Sequence, residues 1–213
     1  MYFCTLTRGP SAIVNEMDLS GAFSSIERVV KLSNKEKEIF KTLTETDFIR
    51  NNDLLLREGQ VCKFEYFILR GCLRSFYFDR NLVEHTTMFA VEGWWTGNLK
   101  SFLKSTPSEF AIQAQEDSSL LKIHRDKIEV LYSQIPKFER YFRILLQNRL
   151  LVTQDRVSNH LSSPAAERYS QFIAKYPEIE QRVAQKHIAS YLGITPTYLS
   201  RLRRRRMKGD FLL

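Results

Sequence analysis

The side chains in this sequence whose types and spacing suit a specific chemistry lie close together near its C-terminal end. Gln185, Thr195, Thr197, Ser200, Arg201, Arg203, Arg204, Arg205 and Lys208 bring amide, hydroxyl, guanidinium and ammonium groups into one short stretch. No acid–base pair or metal-ligand cluster accompanies them, so the chemistry is recognition. Donors of this kind pair with phosphate oxygens, and an arginine fork matches the two acceptors on the edge of a guanine. The elements that must position them are legible in the spacing. Ile188 and Leu192 are four apart and Leu199 and Leu202 three apart, which gives each of two helices one apolar stripe. Ala189 is small enough to let the helices approach. Gly193 suits the left-handed turn that ends the first helix, Ile194 plugs the corner, Thr195 is an N-cap and Pro196 a first helical residue. The order Gln185, Ala189, Gly193, Leu199, Leu202 is that of a helix-turn-helix. A plain helical hairpin would show the same stripes, but it would not require the arginines that follow the turn. Successive residues turn by about 100°, so Arg203 to Arg206 cannot all face base edges; some of them reach phosphates.

The charge supports a localised polyanion site. The 213-residue chain has a formal net charge of +8, and eight of its Lys and Arg residues lie between Gln181 and Leu213, against the single acid Asp210. The remainder is nearly neutral, so double-stranded DNA is the expected partner, met at one end. A hydrophobic content of 43% is sufficient for a packed core. No apolar run approaches the roughly 18 residues of a membrane span, and the first residues lack a signal-peptide pattern; the expected location is the cytoplasm, with no membrane partner. Cys4, Cys62 and Cys72 have no metal-type spacing and are expected as reduced thiols. His85, His124, His160 and His187 are not paired at ligand spacing, which argues against a cupin-like metal enzyme. The expectation is a protein that is not an enzyme and has no metal or cofactor.

Upstream, residues 1–32 are weakly patterned and are taken as a leader, with one short amphipathic helix on Phe23, Ile26, Val29 and Val30. Ser33 and Glu36 form a capping box for a helix to Thr44. From Asp47 to Ile123 the chain breaks into short runs: Leu54–Leu56, Phe64–Leu69, Leu73–Phe78, Val83–Phe89, Phe110–Ala114 and Leu120–Ile123. Strands at such intervals predict an antiparallel sandwich or barrel. Asn98 to Lys104 is a helical insertion after Gly93-Trp94-Trp95-Thr96-Gly97, where a small molecule has room to bind. Arg125 to Ser133 is helical, and Pro136 opens a long helix to about Leu161 that is apolar on more than one side. Such a helix needs cover, and a second copy of the chain supplies it. Ala165 to Tyr176 forms a further helix.

Arg57-Glu58-Gly59, Tyr66-Phe67-Ile68-Leu69-Arg70-Gly71, Ala166-Glu167-Arg168-Tyr169, Ile188 to Ile194 and Leu199-Ser200-Arg201 together resemble the family of cyclic-AMP receptor protein and Fnr transcription regulators, over about residues 32–206. The resemblance implies an α+β fold. Its parts are an antiparallel, jelly-roll-like β-roll sensor domain (33–134), a long dimerisation helix (135–161) and a winged-helix-like helix-turn-helix domain (162–213). It also implies a homodimer, an unknown small-molecule effector, and RNA polymerase as a further partner.

The departures from the family are specific. Where nucleotide-binding members carry a Glu for the ribose and an Arg for the cyclic phosphate, this chain has Asn98 and Ser108. Without that guanidinium the phosphate loses its charge-assisted bonds, so cyclic AMP is not the expected ligand; a cyclic-nucleotide-responsive regulator is the alternative. The effector-pocket candidates are Trp94, Trp95, Thr96, Asn98, Lys100 and Ser108. The cysteines do not supply an iron–sulfur set, and His85 is a weak haem ligand. The wing after the recognition helix is short. Thr197 stands where the family commonly has a base-reading Glu, and Arg201 keeps the guanine-reading position.

Overall fold

The computed structural model describes residues 18–208. Cys4, most of the leader and the end of the expected wing lie outside the described residues. Helix α1 (Ser20–Glu27) buries Ala22, Phe23 and Ile26. Helix α2 (Asn34–Leu43) starts at the expected capping box: Ser33 Oγ accepts from Glu36 N at 3.3 Å, and the Glu36 carboxylate accepts from Ser33 N at 2.7 Å.

Strands β1 (Thr44–Ile49), β2 (Leu54–Leu56), β3 (Phe64–Arg70), β4 (Leu73–Phe78), β5 (Glu84–Ala90) and β6 (Trp95–Thr96) follow. Helix α3 (Leu99–Lys104) precedes β7 (Ala111–Ala114) and β8 (Ser118–His124). They form two four-stranded antiparallel sheets, in the orders β1-β8-β3-β6 and β2-β7-β4-β5. Between them lies a core of Leu56, Tyr66, Ile68, Leu73, Phe102, Ile112 and Leu120. The alternation of a pleated strand sends Phe67 to the opposite face of β3 from Tyr66 and Ile68. There it joins Leu121 and Ile123 under the helices. Gly71, at φ +116°, is where the chain turns tightly from β3 into β4; a Cβ there would collide with Ser118.

A 3-10 turn at Arg125–Lys127 leads to α4 (Ile128–Gln134) and α5 (Lys137–Ser162). The second core joins α1, α2, α4 and α5 to the outer face of β3 and β8, with Phe40 stacked on Phe138 at 5.0 Å between centroids. Residues 20–32 pack onto the β-roll, because Phe23, Ile26, Val30 and Leu32 share this core with Phe67, Leu121 and Ile123. The last elements are α6 (Ala165–Lys175), α7 (Ile179–Arg182), α8 (Gln185–Leu192) and α9 (Pro196–Met207). Their core of Tyr169, Phe172, Ile179, Ile188, Leu192, Leu199 and Leu202 continues into Phe89 and Cys72 of the β-roll. No wing strand follows α9 among the described residues.

Candidate nucleic-acid interface

The helix-turn-helix forms as its spacing requires. Gly193 takes φ +66° at the end of α8, and Ile194 N bonds back to the Ala189 carbonyl at 3.0 Å. Thr195 Oγ1 accepts from Tyr198 N at 3.2 Å and Pro196 is the first residue of α9, so this threonine serves as a cap. Leu199 and Leu202 are buried against α8. At about 100° per residue, Thr197, Arg201, Arg204 and Lys208 fall within an arc of roughly 60° on the opposite side of α9. All four are exposed, with half-buried Ser200 at one edge and exposed Arg205 at the other. Gln185 is exposed at the start of α8.

One expected contact is redirected. Arg203 lies beside the buried stripe, and its Nε is 3.2 Å from Glu180 Oε1, while Arg206 holds the other carboxylate oxygen at 2.9 Å. Glu180 also accepts from the Tyr169 hydroxyl at 2.7 Å. Arg203 thus fastens α9 to α7, because a helix with arginines at four consecutive positions must turn one of them inward.

A second feature had no signal in the sequence: α8 docks on β5. Ser190 Oγ accepts from Thr86 N and donates to the Glu84 carbonyl, both at 2.9 Å. His187 Nδ1 lies 3.1 Å from Glu84 Oε1. Glu84 also receives the buried Arg74 guanidinium in a two-pronged pair at 2.6 and 2.9 Å, and Arg74 lies over the Phe76 ring at 4.0 Å. Burial, then the neighbouring charge of Arg74, holds the His187 imidazole down at about 4. It is neutral near pH 7, and Nδ1–H donates to the carboxylate. Alongside, Arg182 binds Glu92 at 2.7 and 2.9 Å and Glu116 at 3.2 Å. Arg156 donates to the Thr86 and Thr87 carbonyls and covers Tyr191 at 4.2 Å, and Phe89, Phe172 and Tyr191 pack ring to ring. The C-terminal unit is therefore seated on a sheet of the β-roll through charges, hydrogen bonds and aromatic rings together.

The expected effector residues do not surround one space. Trp95 and Thr96 alternate across β6, so Trp95 faces the helices, with Nε1 donating to the Tyr141 hydroxyl at 3.0 Å, while Thr96 is fully buried and its hydroxyl has no partner among the described residues. Trp94 packs towards Tyr176 at 5.9 Å, and exposed Lys100 pairs with Glu109. Asn98 and Ser108 do meet: the Asn98 amide donates to Ser108 Oγ at 2.7 Å, Ser108 donates to the Phe110 carbonyl at 2.6 Å, and Asn98 Oδ1 caps α3 through Ser101 N at 3.0 Å. His85, the weak haem candidate, pairs with Asp79 at 2.9 Å. Among the described residues no group of three or more metal-ligating side chains comes together, and no helix is long and apolar enough to cross a membrane.

A β-roll, a long central helix and a helix-turn-helix follow one another in the chain, and solved structures of low sequence identity share this fold. Residues 46–134 match the family model of the cyclic nucleotide-binding domain. The fold is shared with the c-di-GMP-responsive global regulator CLP of Xanthomonas campestris, at 15% identity and TM-score 0.69, over 85% of this chain and 95% of that one. It is also shared with FixK2 of Bradyrhizobium japonicum, at 17% identity and TM-score 0.67, over 78% and 86%. The regulatory subunit of a cAMP-independent protein kinase A from Trypanosoma brucei matches at 19% identity and TM-score 0.50, over 61% of this chain and 45% of that one. No curated protein matches the sequence significantly.

Proposed function

We propose that this protein is a homodimeric, sequence-specific DNA-binding transcription regulator whose β-roll answers to an effector other than cyclic AMP. One observation carries it: α9 presents Thr197, Arg201, Arg204 and Lys208 as a single exposed face opposite buried Leu199 and Leu202. In this reading Arg201 donates to guanine O6 and N7, while Arg204, Arg205 and Lys208 hold phosphates on either side. The dimer rests on α5. Leu146, Leu150, Val157 and Leu161 are exposed and, at 3.6 residues per turn, share one stripe, the seam that a second copy of the helix covers. Two α9 helices related by the twofold axis would then meet successive major grooves about 34 Å apart, and the effector would set their angle.

Against cyclic AMP stand Asn98 and Ser108. They are bonded to each other, neither carries a charge, and Lys100 is engaged by Glu109 at the surface. The similar proteins include one responsive to c-di-GMP and one independent of cAMP, so the fold alone does not specify the ligand.

Binding to random duplex DNA across a salt series tests the DNA reading. Three to four phosphate contacts per protomer predict a log–log slope of about −6 for the dimer. A slope near zero, or no binding at low salt, overturns it in favour of a C-terminal unit that engages a protein.

A further inference from the structure

Glu65 sits beneath the long helix instead of at the surface. It stands directly opposite Ile123 in the pairing of β3 with β8, so its side chain leaves the sheet on the face that packs against α4 and α5. It is buried, and its Oε1 has no hydrogen-bond partner among the described residues. The neighbouring backbone closes on it. Trp95 lies opposite Phe67, and two residues further on a Cβ at Gly97 would stand 2.7 Å from each carboxyl oxygen. Glycine at that position leaves the room that the carboxyl fills.

Arg149 of α5 is the cation whose field reaches this carboxyl. Its Nη2 is turned instead to the Met88 thioether at 3.6 Å, a weak acceptor. Arg149 shares one side of α5 with Phe142, Leu145 and Arg156. That side rests on the β-roll, with Phe142 against Trp95 at 5.2 Å between centroids and Arg156 on the Thr87 carbonyl. The other titratable groups around Glu65 are Cys62 and Tyr66 on the sheet and Tyr132 on α4; burial holds all three above their ordinary values, so they are neutral at pH 7. Glu129 and Glu139 add like charge beside Tyr132. Burial pushes the Glu65 carboxyl up to about 7, with Arg149 opposing the rise. Once ionised, the carboxylate has neither water nor a counter-charge in contact, which a poorly polar interior penalises. Relief requires α5 to lift enough for water to enter or for Arg149 to leave Met88.

We propose that Glu65 and Arg149 form a proton-controlled seat for α5: with Glu65 protonated the helix rests on the β-roll as observed, and loss of the proton loosens it as Arg149 is drawn to the carboxylate. Arg156, two turns further along the same helix, covers Tyr191 of α8 at 4.2 Å, so the C-terminal unit is coupled to this seat. The β-roll thereby responds to protons in addition to any small molecule. The seat does not depend on whether α9 reads DNA.

The test uses the full chain. Amide protection, corrected for intrinsic exchange, is compared at about pH 6 and pH 8, and the Glu65 carboxyl is titrated by carbon NMR. With an opened state that ionises as a free glutamate, near 4.5, opening at Phe142, Leu145 and Arg149 should rise about tenfold between the two conditions. Leu199 in α9 is the control and should change less. Glu65→Gln keeps the size of the protonated side chain and should match the parent at the lower pH without any rise at the higher. Exposed Arg149→Gln should move the Glu65 midpoint upward, because the cation that favours the ionised form is gone. Equal protection at both pH values in the parent, a rise that persists in Glu65→Gln, a rise shared fully by Leu199, or a Glu65 midpoint unmoved by Arg149→Gln overturns the proposal.

Discussion

Replacing Glu84 with Gln tests how the C-terminal unit is held on the sensor. The Arg74 side chain is only 3% exposed, and Glu84 gives it two charge-assisted bonds while accepting from His187. Removing one partner of a buried pair costs about 3–5 kcal/mol, chiefly because the other charge is left uncompensated. Glu84 is 28% exposed, so water moderates the loss, and the new amide oxygen keeps one acceptor; about 2–3 kcal/mol is expected after that discount. For a chain of this size that corresponds to roughly 2–4 °C in Tm per kcal/mol. Urea unfolding followed by tryptophan fluorescence gives the stability, and amide exchange at Ile188, Ala189 and Ser190 shows whether α8 opens first. Arg74→Met in the Glu84→Gln background removes the stranded charge and should recover at least half of the loss. A Glu84→Gln protein within 0.5 kcal/mol of wild type, or a double variant as unstable as the sum of the two singles, refutes this account of the docking.

Arg201→Ala should weaken specific DNA binding by about 1–3 kcal/mol and relax one base position, whereas Arg205→Ala should weaken binding evenly on all sequences and flatten the salt slope. Identical losses from both variants on specific and random duplex would sink that division of labour. Arg203→Ala should leave the salt slope unchanged and instead loosen α7, seen as faster exchange at Gln181 and Arg182, because its partner is Glu180. Leu150→Glu on the exposed stripe of α5 should yield a folded monomer in sedimentation; an undisturbed dimer would place the interface elsewhere. Two buried groups should pull stability in opposite directions with pH, their windows overlapping between 4.5 and 6.5. His187 is held at about 4, below the 6.5 of a free imidazole, so the unfolded chain binds the extra proton and stability declines as pH drops from 6.5 through 4. Burial lifts the Glu65 carboxyl from 4.5 to about 7, so stability declines as pH rises from 4.5 through 7. His187→Gln should therefore unmask a loss of stability as pH rises from 4.5 through 7, and Glu65→Gln a loss as pH drops from 6.5 through 4.

Periodicity located most of the elements because each buries one face. Leu73–Phe78 and Leu54–Leu56 are strands at the expected bounds, and the capping box at Ser33 starts a helix at the expected place. β1 escaped because Thr-Glu-Thr-Asp is hydrophilic; it is held at the sheet edge by antiparallel pairing of its backbone with β8. β6 is only two residues long, and α7 a single turn. The exposed face of α9 was legible because helical spacing and charge coincide there. Which arginine turns inward was not, since Glu180 is distant in sequence and meets Arg203 only through the fold. The docking of α8 on β5 was hidden for the same reason: Glu84, His187 and Arg74 are unremarkable until folding brings them together.

The central claim is met most directly by selecting binding sites from random duplex DNA at fixed salt, with and without cyclic AMP. The same twofold-symmetric motif in both arms, its half-sites one helical turn apart, is the predicted result. A motif that emerges only with the nucleotide would contradict the part assigned to Asn98 and Ser108, and no motif in either arm would contradict the DNA-reading role of α9.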